Sequence, residues 1–100
     1  LKAIRYHPSV QDDINSAMKF YFIEATEKVA HEFWAELSES LIKIRQNPTH
    51  IHFSQPELRR CNLKKFPYHI LFLDNPDKVR IQVVRHNSRR PAYGTKRKRN

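Results

Sequence analysis

One hundred residues make one domain, which buries roughly 60–70% of its unfolded surface and so builds one modest core. Eleven aromatic residues and 39% apolar content exclude a disordered chain, and no apolar run reaches the length of a membrane span. Residues 1–56 hold six Lys/Arg against seven Asp/Glu, whereas residues 57–100 hold thirteen against three, so a balance of −1 is followed by one of +10. A field that strong in the second half selects polyanionic partners: nucleic acid, an acidic protein segment or an anionic surface.

The chain opens with "KAIRYH", residues 2–7, whose alternation predicts a short strand with Ile4 and Tyr6 on one face and Arg5 and His7 on the other. Pro8 ends it. Ser9 with Asp12 resembles a helix N-cap signal, and Asp12 and Asp13 suit the positive end of a helix dipole. Val10, Ile14, Ala17 and Tyr21 recur at helical spacing, as do Val29, Phe33, Leu37, Leu41 and Ile44. These stripes predict helices over 9–23 and 26–46. Thr26 is the candidate cap between them, one long bent helix is the alternative, and Pro48 stops the second.

Residues 47–56, "NPTHIHFSQP", read as a loop. From residue 57 the period falls to two. "ELRRCNLKK", "PYHILFLD" and "KVRIQVVRH" predict three strands, with "DNPDK" turning between the last two. The order β-α-α-β-β-β predicts an α+β domain, a helical hairpin on one face of a mainly antiparallel four-stranded sheet. The domain is expected over residues 1–93, followed by a basic, mobile tail over 94–100.

Alternation also assigns faces. Cys61 and Leu63 suit the helix side, as do Val79, Ile81 and Val83. Arg60, Asn62, Lys64, His69, Arg80, Gln82, Val84 and His86 then face away, with Arg85, Arg89, Arg90 and Tyr93 beside them at the end of the last strand. The third strand, apolar on both faces, is expected at the centre of the sheet. A solvated, lysine- and arginine-rich sheet face is the plain reading of this surface, and two histidines and a tyrosine among the charges argue for more. His50 and His52 read as loop residues without a third metal ligand. Cys61, the one cysteine, faces the core, where a thiol is inert, and a single cysteine fits a reducing, cytoplasmic setting.

The segments "FPYHILFL", "VRIQVVRHNSRRPAY" and "ELRRCNL", with the opening "HPSV" and the helix end "IRQNP", resemble the RelE/ParE superfamily of toxins from bacterial type II toxin–antitoxin modules. The resemblance implies a growth inhibitor neutralised by a cognate antitoxin. Its RelE-like members cut mRNA on the ribosome, and its ParE-like members poison DNA gyrase without catalysis. Metal-independent RNA cleavage needs a base, an acid and positive charge around the phosphorane-like transition state. Transferred by position, Arg60 falls on a basic strand residue of the family and Tyr93 on its C-terminal aromatic, while His69 stands where RelE has an arginine; the resemblance to other RelE-like branches then makes His86 and His69 the candidate acid and base, with Arg89 and Tyr93 completing the catalytic set. Arg60, Lys64, Arg85 and Arg90 are then the RNA- and phosphate-binding residues. Asn62 and Asn87 stand where RelE has basic residues. The expectation is therefore an mRNA endonuclease without metal or small-molecule cofactor, partnered by antitoxin, ribosome and mRNA. A ParE-like gyrase inhibitor and an inactive antitoxin-binding relative are the alternatives.

Overall fold

The computed structural model describes residues 2–99. The elements in chain order are β1 (Ala3–Tyr6), α1 (Val10–Glu24), α2 (Glu27–Gln46), a single 3₁₀ turn (Pro48–His50), β2 (Phe53–Gln55), β3 (Leu58–Asn62), β4 (Tyr68–Asp74) and β5 (Lys78–His86). The strands form one sheet in the order β1-β5-β4-β3-β2, parallel between β1 and β5 and antiparallel elsewhere. The α+β architecture is as expected, with β4 central. The sheet has a fifth strand because the segment expected as loop contributes β2, three residues too short to show a period.

Two helices form, as the apolar stripes predict, rather than one long bent helix. Thr26 is extended and its hydroxyl accepts the Val29 N–H at 3.1 Å, which starts α2 afresh. Ser9 makes no side-chain cap; the imidazole Nδ1 of His7 accepts the Ser9 N–H instead. The apolar faces of both helices meet the sheet over Val10, Ile14, Ala17, Phe33, Leu37, Ile44, Ile70, Phe72, Val79 and Ile81. Tyr21, Phe33, Phe66 and Tyr68 pack edge-on or tilted at 5.0–6.1 Å between centroids, closing this core at one end.

One irregularity decides what the other face presents. Leu71 pairs with Val83 but Phe72 pairs with Ile81, so Gln82 is an extra residue on β5. The bulge reverses the alternation beyond it. Val84 joins the helix-side core, while Val83 packs with Leu58, Leu71 and Leu73 on the opposite side. The expected placement of Val83 towards the helices, and of Val84 and His86 away from them, is thereby inverted.

The second face is not open. Residues 88–99 fold back across it as a strap. Tyr93 packs on the Leu58–Leu71–Leu73–Val83 cluster. The Gln82 amide donates to Arg97 O at 2.8 Å, and Arg80 Nη2 to Lys98 O at 3.2 Å. Arg97 clamps Asp13 of α1 with two bonds of 2.7 and 2.8 Å. Asp13 Oδ2 also accepts the Val84 N–H at 3.0 Å, on the stretch of β5 that β1 is too short to cover. Residues 94–99 are thus seated on the sheet rather than hanging free, and the contacts run through the boundary expected at residue 93.

Gly94 sits within the strap at φ +76°, and a Cβ there would lie 2.7 Å from Val83 Cγ2. Gly94→Ala should therefore destabilise the fold by about 1–3 kcal/mol, through a left-handed backbone and a clash with a buried valine. Urea denaturation checks it, and an unchanged midpoint would mean that the strap does not close on Val83.

Candidate functional site

The residues expected to carry function gather at one end of the sheet, where β3 ends, β4 begins and β5 ends. The bulge divides them between two faces. His69 pairs across the sheet with Arg85, and both point to the strap side. His86 pairs with Tyr68 and points to the helix side, where the two rings meet at 5.1 Å. The two histidines expected as acid and base therefore lie on opposite sides of the sheet.

His69 is 1% exposed. Arg85 Nε donates to His69 Nε2 at 2.8 Å. An arginine Nε always carries its hydrogen, so His69 Nε2 must be the acceptor. The imidazole proton then sits on Nδ1, 2.8 Å from Asn87 Oδ1. Burial pushes the His69 pKa down to about 4; the Asn87 hydrogen bond opposes this, and the charges of Arg60, Arg85 and His86 reinforce it. At neutral pH His69 is a neutral ring with both nitrogens engaged. It is a poor proton donor, and its one acceptor position is occupied.

Arg85 is 4% exposed and equally committed. Its Nη1 donates to the carbonyls of Arg90, Pro91 and Tyr93 at 3.1, 2.9 and 2.8 Å. Burial and then the nearby Arg60 charge lower its pKa from the ordinary guanidinium value. Arg85 thus pins the strap to the sheet.

The remaining expected residues are more accessible. His86 is half-buried, and its Nδ1 accepts the Ser88 N–H at 3.0 Å, which leaves Nε2 to carry the proton of the neutral ring. Arg89 is exposed, with its guanidinium carbon 4.5 Å from the centroid of the Tyr93 ring; that of Arg97 lies 5.6 Å away. Tyr93 is thus engaged by cations and by the apolar cluster beneath it, rather than presented as a stacking platform. Arg60 is half-buried and bonds Asn62 Oδ1 at 2.8 Å. Arg90 is exposed and contributes its carbonyl to Arg85. Lys64 lies beyond the end of β3, and its N–H and that of Lys65 bond the Glu36 carboxylate of α2. It belongs to the helix side, not to the face expected from a longer strand.

His86, Arg89 and Tyr93 line a cleft of about 470 Å³ against α1, whose wall carries Asp12, Asp13 and Phe20. The cleft is amphoteric: cations from the strap face carboxylates from the helix. Such a surface offers charged groups of both signs beside apolar ones, as protein contacts do. Asp13, Asn87 and Arg97 organise the region although alternation marks none of them as functional. Only the acidic first turn of α1 signals Asp13, and it signals a dipole role.

Among the described residues no group of three or more His, Cys, Asp or Glu side chains is placed to hold a metal ion. Nor is any helix there long and apolar enough to cross a membrane. Cys61 is buried in the core, and burial raises its thiol pKa.

A family model described as the ParE toxin of the type II toxin–antitoxin system, parDE, matches residues 4–91. A solved structure from a chromosomal ParDE toxin–antitoxin system of P. aeruginosa superposes with a TM-score of 0.76 at 12% identity, over 85% of this chain and 95% of that one. At that identity the likeness is one of fold. No curated protein matches.

Proposed function

Since the family model spans residues 4–91, the chain belongs to the ParE toxin family of type II toxin–antitoxin systems, and we propose that it acts by binding DNA gyrase rather than by cutting mRNA. A toxin of such a module has a cognate antitoxin as partner. The observation that carries the choice of target is the His69–Arg85–Asn87 lock. In it the best-placed imidazole and a central arginine are bonded to protein groups, which weighs against a role for them in phosphate chemistry. The strap reinforces this reading, because it covers the sheet face on which a cleavage site was expected. What stays accessible near the predicted site is a mixed-charge cleft, suited to a protein contact.

Two assays run side by side test the proposal. Purified protein should inhibit gyrase supercoiling of relaxed plasmid in a dose-dependent manner. The same preparation should leave mRNA intact in a reconstituted translation reaction read by primer extension. Ribosome-dependent cuts that vanish in a His86→Ala, Tyr93→Ala variant would overturn it, and so would inertness in both assays.

A further inference from the structure

The cleft beside His86 is built across an open stretch of the sheet. Its floor is the part of β5 beyond Ile81, where β1 ends and no strand follows on that side. Its two walls are α1 and the strap. Arg97 of the strap bonds Asp13 of α1 at 2.7 and 2.8 Å, and Asp13 Oδ2 also accepts the Val84 N–H of the floor at 3.0 Å. The bonds from Arg85 Nη1 to the carbonyls of Arg90, Pro91 and Tyr93 hold the strap wall further along. The separation of the walls is therefore set by bonds within the fold, not by the charges at the rim.

Two of those rim charges are left over. Asp12 on α1 and Arg89 on the strap are both exposed and line the same cleft. Among the described residues neither has an opposite charge within ion-pair distance. Opposite charges in one cleft attract, yet the tied walls keep these two apart. Arg89 is further fixed by its contact with the Tyr93 ring, 4.5 Å from its guanidinium carbon. Phe20 stands about two helical turns beyond Asp12 on the same face of α1. It is 53% exposed, although a phenyl ring gains nothing from water, and it meets Tyr21 edge-on at 5.3 Å. An anchored aromatic ring with a charged rim is how protein interfaces concentrate their binding energy. A partner with a single sign of charge answers one wall and not the other. A protein segment with both signs answers both.

We propose that this cleft is where gyrase is held, by a surface segment of gyrase that brings a basic side chain to Asp12, an acidic one to Arg89 and an apolar one onto Phe20. This assignment rests on the gyrase reading above and adds to it the residues that bind and the chemistry they select.

The test is the concentration of whole protein that halves gyrase supercoiling, compared among variants whose melting temperatures match the parent. Asp12→Lys and Arg89→Glu should each raise it on the order of ten-fold or more, because a like charge then faces the gyrase group. The neutral replacements Asp12→Asn and Arg89→Gln should raise it less than the reversals do. Phe20→Ala should raise it on the order of ten-fold, as loss of an aromatic anchor does. Glu32→Lys and Arg5→Glu make the same changes of net charge at exposed positions outside the cleft, and should stay within about two-fold of the parent because distant surface charges are screened. Reversals that inhibit like the parent would overturn the proposal and leave the gyrase reading standing. Losses in Glu32→Lys and Arg5→Glu as large as those in the cleft would overturn it too, since net charge alone would then govern. So would neutral replacements as damaging as the reversals, because no charge of the partner then faces these positions. A parent protein without inhibition would remove the gyrase reading and this site together.

Discussion

Arg85→Ala should destabilise the protein by roughly 3–5 kcal/mol, far more than any substitution at the accessible arginines around it. One side chain satisfies four acceptors: the imidazole of His69 and three strap carbonyls. Its removal leaves a fully buried imidazole nitrogen without a donor and a void beneath residues 90–93. A loss of that size moves the melting temperature of a domain this small by well over ten degrees, at about 4–8 °C per kcal/mol. Arg85→Lys should recover little, since an ammonium cannot reproduce a planar fork that reaches an imidazole and three carbonyls at once. Arg89→Ala and Arg90→Ala, both at exposed positions, should stay within about 0.5 kcal/mol. Calorimetry measures the shifts. Limited trypsin digestion adds a local readout, because the strap carries Arg89, Lys96, Arg97, Lys98 and Arg99, and loss of its pin should expose these sites first. A melting temperature within three degrees of the parent would show that Arg85 is a surface ligand after all.

The contrast between Arg85 and Arg89 shows what patterning in a sequence can and cannot carry. Apolar spacing places both helices to within a residue or two, because a 3.6-residue stripe is a local property that tertiary packing preserves. It also places β4 at the centre, because a strand apolar on both faces has nowhere else to go. The side chains beyond Gln82 are another matter. Nothing marks a bulge there, neither glycine nor proline, and one inserted residue exchanges the faces of Val83, Val84, Arg85 and His86. A reading of the site by alternation therefore unites His69 with His86, which the fold puts on opposite faces, whereas Arg85, read as lying beside them, is the direct partner of His69. The strap is missed for a related reason. "GTKRKRN" has the composition of a solvated tail, and the contact that seats it, Arg97 on Asp13, joins residues 84 apart in the chain. No local pattern encodes a partner at that distance. Asn87 illustrates the same point from the other side. As a departure from the basic residue of RelE it reads as a loss, whereas in the fold its amide oxygen lies 2.8 Å from the Nδ1 on which the Arg85 bond places the His69 proton.

That tautomer makes stability depend on acidity, with a defined sign. In the folded chain His69 takes up its second proton only near pH 4, below the ordinary imidazole value of 6.5 at which it does so when unfolded. Between those values the unfolded state binds more protons, so stability rises with pH. The contribution of His69 is complete above about pH 6.5, is lost progressively as the pH falls, and is gone near pH 4. The difference between the two titrations is worth on the order of 3 kcal/mol. Urea denaturation at pH 7.0, 5.5 and 4.5 should show the parent losing most of that amount. His69→Gln, less stable at pH 7.0, should lose correspondingly less over the same span, the common carboxylate contribution cancelling in the comparison. Proton NMR gives the site-specific version: the His69 Cε1–H signal should stay put from pH 8 to pH 5.5. A resonance that titrates near neutrality would show an accessible imidazole able to exchange protons in the functional range. It would count against the gyrase reading and in favour of acid–base chemistry at His69.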